Sequence, residues 1–139
     1  LGTALPSASA TQNEALICAR RMSPPKVREA TWIENVYAHS GIDKRHQVHG
    51  QVFLDDLLND TKNSESPFLT TGCPTFKGPS TATRMAIYEK EAPILAVESA
   101  QKALAESGFS PESITHLVTV SCTGFAAPGV DLALISKLG

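Results

Sequence analysis

The stretch that most constrains this chain is ITHLVTVSCTGFAAPGVDLALISKLG, residues 114–139. Residues 116–122 are rich in β-branched side chains and carry no Asp, Glu, Lys or Arg, which predicts a strand covered on both faces. Thr123-Gly124-Phe125-Ala126-Ala127 then leaves the strand, and Pro128 suits the first turn of a helix, where its missing N–H costs nothing. Leu132, Leu134, Ile135 and Leu138 supply that helix with an apolar face. Ligands of open α/β sheets bind at the carboxyl ends of strands. The Ser121-Cys122-Thr123-Gly124 cluster is therefore the leading site candidate.

Composition narrows the function classes. A net charge of −2 over 139 residues gives no electrostatic footprint for nucleic acid or an anionic membrane. No run of about 18 apolar residues is present, so no transmembrane helix is expected. Cys18, Cys73 and Cys122 are odd in number and widely spaced, without a CxxC pair. That pattern favours neither a disulfide framework nor a zinc site, and it points to a reducing, cytoplasmic setting. The chain opens on Leu1-Gly2-Thr3 without an initiator methionine and stops at Leu138-Gly139. With no further strand after that helix to bury it, residues 1–139 are expected to be a piece of a larger α/β unit.

The rest of the chain reads mainly as helix. Residues 1–6 suggest a strand tail. Ser9 or Thr11 caps a helix through about Arg21, which Met22-Ser23-Pro24-Pro25 ends. Trp32, Ile33, Val36 and Tyr37 mark one face of a second helix over 29–39, closed by Ser40-Gly41. Residues 42–48 read as a charged, exposed strand, 52–58 as a short helix, and 59–80 as a long surface loop. A long helix is expected over 81–107, with Met85, Tyr88, Ala92, Leu95, Ala96, Ser99, Ala103 and Leu104 near one face and Gly108 as its stop. Pro93 predicts a kink or a restart within it.

Cys122 has the right company for a nucleophile, between two hydroxyls and next to a glycine. A thiolate needs a helix amino terminus or a cationic neighbour, and the spacing ties neither to Cys122. A place in a pocket wall or core fits the residue chemistry better. Cys18 reads as a small buried hydrophobe. His39, His46 and His49 lie near Lys44-Arg45, but i, i+3 spacing in an extended segment sends side chains to opposite faces, so a solvated edge is expected rather than a metal site. Lys44 and Arg45 suit an edge strand that resists aggregation, with phosphate binding the alternative. Gly72-Cys73-Pro74 reads as a turn.

SCTGFAAPGVDLALISKLG resembles the segment of type III polyketide synthases (chalcone-synthase-like enzymes of the thiolase superfamily) that precedes their catalytic cysteine. LGTALP, HSGIDKRH and GPSTATRMAIYEKEAPILAVESAQKAL fall in the family's order, so the resemblance spans nearly the whole chain. The wording around CTGF and APG is more similar to bacterial alkylpyrone- or alkylresorcinol-type members. The resemblance implies the amino-terminal half of the thiolase-like αβαβα layered α/β fold. It also implies a cytoplasmic homodimer that joins an acyl-CoA starter to malonyl-CoA by decarboxylative Claisen condensation, with no cofactor. The Cys-His-Asn triad of such enzymes would lie after Gly139, so no catalytic residue is expected here and this portion alone should be inactive. By the same resemblance, Cys122 and Thr123 fall in the pocket wall, Gly124 at the turn, and Ala127 at a dimer contact reaching into the partner's cavity. Plant members carry methionine there, so alanine implies room for a longer acyl starter. The family's basic residues for the CoA phosphates fall near Ile33, Val36 and Ser40, none of them basic. Two alternatives stand beside this reading: a non-catalytic half-domain that binds acyl chains or a partner, and a related ketoacyl-ACP synthase III or HMG-CoA synthase.

Overall fold

The computed structural model describes residues 1–24, 29, 31–69 and 76–139. The predicted turn at Gly72-Cys73-Pro74 and the second proline of Pro24-Pro25 lie outside them. The chain divides into two compact units, Pro6–Pro79 and Leu1–Leu5 with Ser80–Gly139.

In the first unit, strand β1 (Ala8–Thr11) pairs antiparallel with β2 (Lys44–Gln47), Ala8 opposite Gln47 and Thr11 opposite Lys44. Alternation along β1 buries Ala8 and Ala10 and turns their neighbours outward. Helix α1 (Gln12–Met22) starts on Thr11 by reciprocal capping. The Glu14 N–H donates to the Thr11 Oγ1 at 3.3 Å, and the Thr11 N–H donates to the Glu14 Oε2 at 2.7 Å. Those bonds from Thr11 also hold the Glu14 carboxyl below its ordinary range. Helices α2 (Thr31–Ala38) and α3 (Gln51–Asn59) belong to the same unit, with α1 against β1, α2 and α3. The core comprises Ala8, Ala10, Ala15, Cys18, Phe53, Leu54 and Leu57, flanked by Tyr37, Leu58, Phe68 and Leu69. Cys18 is buried as expected, and burial pushes its thiol up.

The one buried charged side chain among the described residues is Asp56, on the last turns of α3. Its carboxylate accepts from the Thr61 hydroxyl at 2.6 Å, the Asn63 N–H at 2.7 Å and the Ser64 N–H at 2.6 Å. One side chain thus takes the place of a regular element in organising residues 60–64.

In the second unit, helix α4 (Thr81–Ser107) is capped by Ser80, whose Oγ accepts from the Thr83 N–H at 3.1 Å, and is closed by Gly108 at φ 71°. All eight residues expected on its packing face are half-buried, and none is fully buried. Pro93 does not restart the helix, which runs through it for 27 residues. The proline has no N–H to donate to the Glu89 carbonyl, and the helix continues across that missing bond. Helix α5 (Val130–Leu138) packs on α4 through buried Leu134. It begins on Gly129 rather than at Pro128, because the Gly129 carbonyl takes the first bond, from the Leu132 N–H at 3.2 Å.

Residues 1–5 form no strand; they lie along α4 instead. The Ser99 Oγ donates to the Gly2 carbonyl at 2.9 Å and the Lys102 Nζ to that of Thr3 at 3.2 Å. A Cβ at Gly2 would come within 2.5 Å of the Ala103 nitrogen, so only glycine brings the backbone this close to the helix.

The predicted buried strand over 116–122 is not formed. The segment has no ladder partner among the described residues, and Val118 and Val120 are 82% and 91% exposed. An apolar run of this kind is buried only where flanking strands and covering helices supply its partners. With Phe125, Leu132 and Ile135 also exposed, the chain is expected to enhance ANS fluorescence several-fold over a folded globular control, read in a dye titration. Emission no higher than the control would contradict this exposed surface.

Candidate functional site

The turn after this segment builds a cleft of about 300 Å³, lined by Tyr88 of α4 and by residues 119–121, 124–126 and 129–131. That volume reaches the lower end of the range for small-molecule sites. The turn is closed locally, since the Gly124 N–H donates to the Ser121 Oγ at 3.2 Å. It is also held from α4, since the Phe125 N–H donates to the Met85 Sδ at 3.4 Å. One helical turn on, the Tyr88 ring lies against Gly124, where an added Cβ would come within 2.6 Å of the ring's Cγ. Met85 and Tyr88 are thus the i, i+3 pair on which the turn rests.

On the other side, Gly129 and Asp131 belong to the start of α5. The Asp131 carboxylate sits in the first helical turn, where the macrodipole favours a negative charge, and its Oδ1 folds back over Gly129.

Of the residues singled out in the sequence, Ser121 and Gly124 line this cleft, while Cys122, Thr123 and Ala127 do not. Cys122 and Thr123 are exposed, with the Cys122 Sγ 3.8 Å from the Thr123 Oγ1, and Ala127 is exposed at a cis peptide to Pro128. Tyr88, Phe125 and Asp131 escaped the sequence reading as cleft residues. Tyr88 had a signal, since it shares the packing face of α4 with Met85. Asp131 had one too, as an acid opening a helix. Nothing local in the sequence says that the two meet at one turn. The cleft offers an aromatic ring, bare glycine backbone and a carboxylate, with no cysteine or histidine in its wall among the described residues.

The other candidates lie in the 6–79 unit. Arg45 stands 4.8 Å over the Tyr37 ring, and its Nε donates to the Gln12 Oε1 at 2.9 Å. The Gln12 Nε2 in turn donates to the Tyr37 carbonyl at 2.8 Å and to the Ser40 Oγ at 2.5 Å. Arg45 thus ties β2 to α1 and α2, a structural role. Ile33 is buried and Val36 exposed, so the positions expected near a CoA phosphate present an aliphatic pair and an engaged hydroxyl. His39 and His46 are bonded through Nδ1 to the carbonyls of Asn35 at 2.9 Å and Pro6 at 2.8 Å. None of the described helices is long and apolar enough to cross a membrane.

A sequence profile of chalcone and stilbene synthases, N-terminal domain, matches residues 1–139. The chain is 44% identical over 61 residues to bisdemethoxycurcumin synthase of Oryza sativa subsp. japonica, a stretch covering 44% of this chain and 15% of that protein. It is 35% identical over 63 residues to the type III polyketide synthase pspB of Penicillium soppii, covering 45% and 16%. Among solved structures, PKS-I from the brown alga Ectocarpus siliculosus superposes with a TM-score of 0.71 at 27% identity, over 99% of this chain and 35% of that one. A fungal type III polyketide synthase, ORAS, gives 0.63 at 26% identity, over 99% and 32%. The chain thus spans about a third of the length of these solved relatives and has the thiolase-like α/β fold of their kind, as its amino-terminal portion. By a match over its whole length, the chain belongs to the N-terminal domain family of the chalcone and stilbene synthases.

Proposed function

We propose that residues 1–139 are the amino-terminal part of a type III polyketide synthase, of the alkylpyrone or alkylresorcinol type, that extends an acyl-CoA starter with malonyl-CoA. In each extension malonyl-CoA loses carbon dioxide, its α-carbon attacks the acyl thioester carbonyl, a carbon–carbon bond forms and the acyl-bearing thiolate departs. The attacking cysteine and its His and Asn partners come from outside these residues. This part supplies the pocket wall through Cys122, Thr123 and Gly124 and a homodimer contact through Ala127. The synthase works in the cytoplasm without a cofactor, and residues 1–139 alone have no activity. The observation that carries the reading is the family match over every residue, 1–139. The cleft at Gly124 supports it, because this glycine falls where the family resemblance sets the pocket turn.

The reading is tested on the complete synthase with acyl-CoA starters of graded length and malonyl-CoA, by mass spectrometry of the products. Products spaced by C2H2O units that depend on both substrates are expected, and their absence would overturn the reading. In the same assay, Ala127→Met is expected to lower turnover of the longest accepted starter about tenfold while sparing the shortest, as a filled pocket does. An unchanged length profile would remove Ala127 from the pocket.

A further inference from the structure

We propose that Tyr88 and Gly124 form a size-matched pair that positions the 121–127 turn and thereby sets which acyl chains the cleft admits. The specificity half of this proposal rests on the synthase reading above; the positioning half does not. Tyr88 is half-buried on α4, and its ring occupies the space that a side chain at position 124 would need. The shortfall is severe, since the added Cβ would approach not one flexible tip but the Cγ at 2.6 Å and the adjoining ring edge. A ring on a helix cannot swing clear without leaving its own packing.

Glycine at 124 is therefore dictated by tyrosine at 88. Gly124 has no positive φ among those found in the chain, so backbone conformation is not the reason for it. Alongside, the Phe125 N–H to Met85 Sδ contact fixes the next residue to the same helix face. The turn is thus hung from two helix positions one turn apart, Met85 and Tyr88, and it carries the exposed Cys122 and Thr123. Shrinking Tyr88 would both deepen the cleft floor and free the turn. Enlarging Gly124 would push the turn off α4.

The pair is read by a double-mutant cycle on the chain itself, with Cys122 alkylation by iodoacetamide followed by peptide mass mapping. Gly124→Ala is expected to change the Cys122 labelling rate about fivefold or more, and Tyr88→Ala in the same chain to bring it back within about twofold, as coupled neighbours do. Additive effects of the two substitutions would overturn the positioning claim, whether or not any acyl-CoA binds. A melting curve on each variant shows whether it is folded. If Gly124→Ala does not fold, Tyr88→Ala with Gly124→Ala must recover folding, and failure to do so equally overturns the claim. In the complete synthase, Tyr88→Ala is expected to raise turnover of starters longer than the native optimum about tenfold relative to that optimum, and Tyr88→Phe to keep the native profile. An active Tyr88→Ala synthase with the native length profile would overturn the specificity claim alone. A synthase inactive with every acyl-CoA before mutation would instead overturn the functional reading on which that claim rests.

Discussion

Replacing Phe53 with alanine is expected to destabilise the 6–79 unit by about 3–5 kcal/mol, the range for emptying a buried aromatic site. Phe53 is 4% exposed, in the core with Ala8, Ala10 and Leu57, and its ring lies edge-on to Phe68 at 6.5 Å and 5.1 Å from His49. Amide exchange reads the effect: β1, α1 and α3 should lose protection together. A cost under about 1 kcal/mol, the ordinary size of a surface change, would contradict this core assignment.

Asp56→Ala is expected to lower the melting temperature at pH 7 by about 10 °C, because the N–H groups of Asn63 and Ser64 lose a buried acceptor. The effect carries a pH signature. Burial pushes the Asp56 carboxyl up, but the bonds from Thr61, Asn63 and Ser64 outweigh burial and hold it far below the usual carboxylate range. A group whose folded pKa is depressed contributes stability that is fully present above its unfolded value, about 4, and is lost as the pH falls toward the folded one. The gap between wild type and Asp56→Ala should therefore be constant above about pH 5 and shrink steadily below about pH 4. A gap independent of pH would show that the carboxylate is not what organises residues 60–64.

Much of the helical structure was legible because its signals are local. Thr11 with Glu14 is a capping box, and Gly108 is a left-handed stop. The packing stripe of α4 follows from periodicity alone. The failures share a different cause. Residues 116–122 have a strand's composition, but a strand is a relation to neighbours, and none of the described residues pairs with them. The β1–β2 pairing was missed from the opposite side: Ala8 and Ala10 have weak β propensity and are buried because small residues admit the helices closely. Tyr88 faces Gly124 across 36 positions of sequence, a distance no local pattern bridges. The site was thus readable as a turn, but not as a cleft with a ring for its floor.

Under the proposed reading, this chain serves a synthase that extends an acyl-CoA starter with malonyl-CoA, losing carbon dioxide at each extension. Carboxyl-labelled malonyl-CoA tests it directly, through the release of labelled carbon dioxide from the complete synthase and from residues 1–139 alone. Acyl-CoA-dependent release is expected from the complete synthase, and none from the 139 residues. No release from the complete synthase with any acyl-CoA, or release from residues 1–139 by themselves, would contradict it.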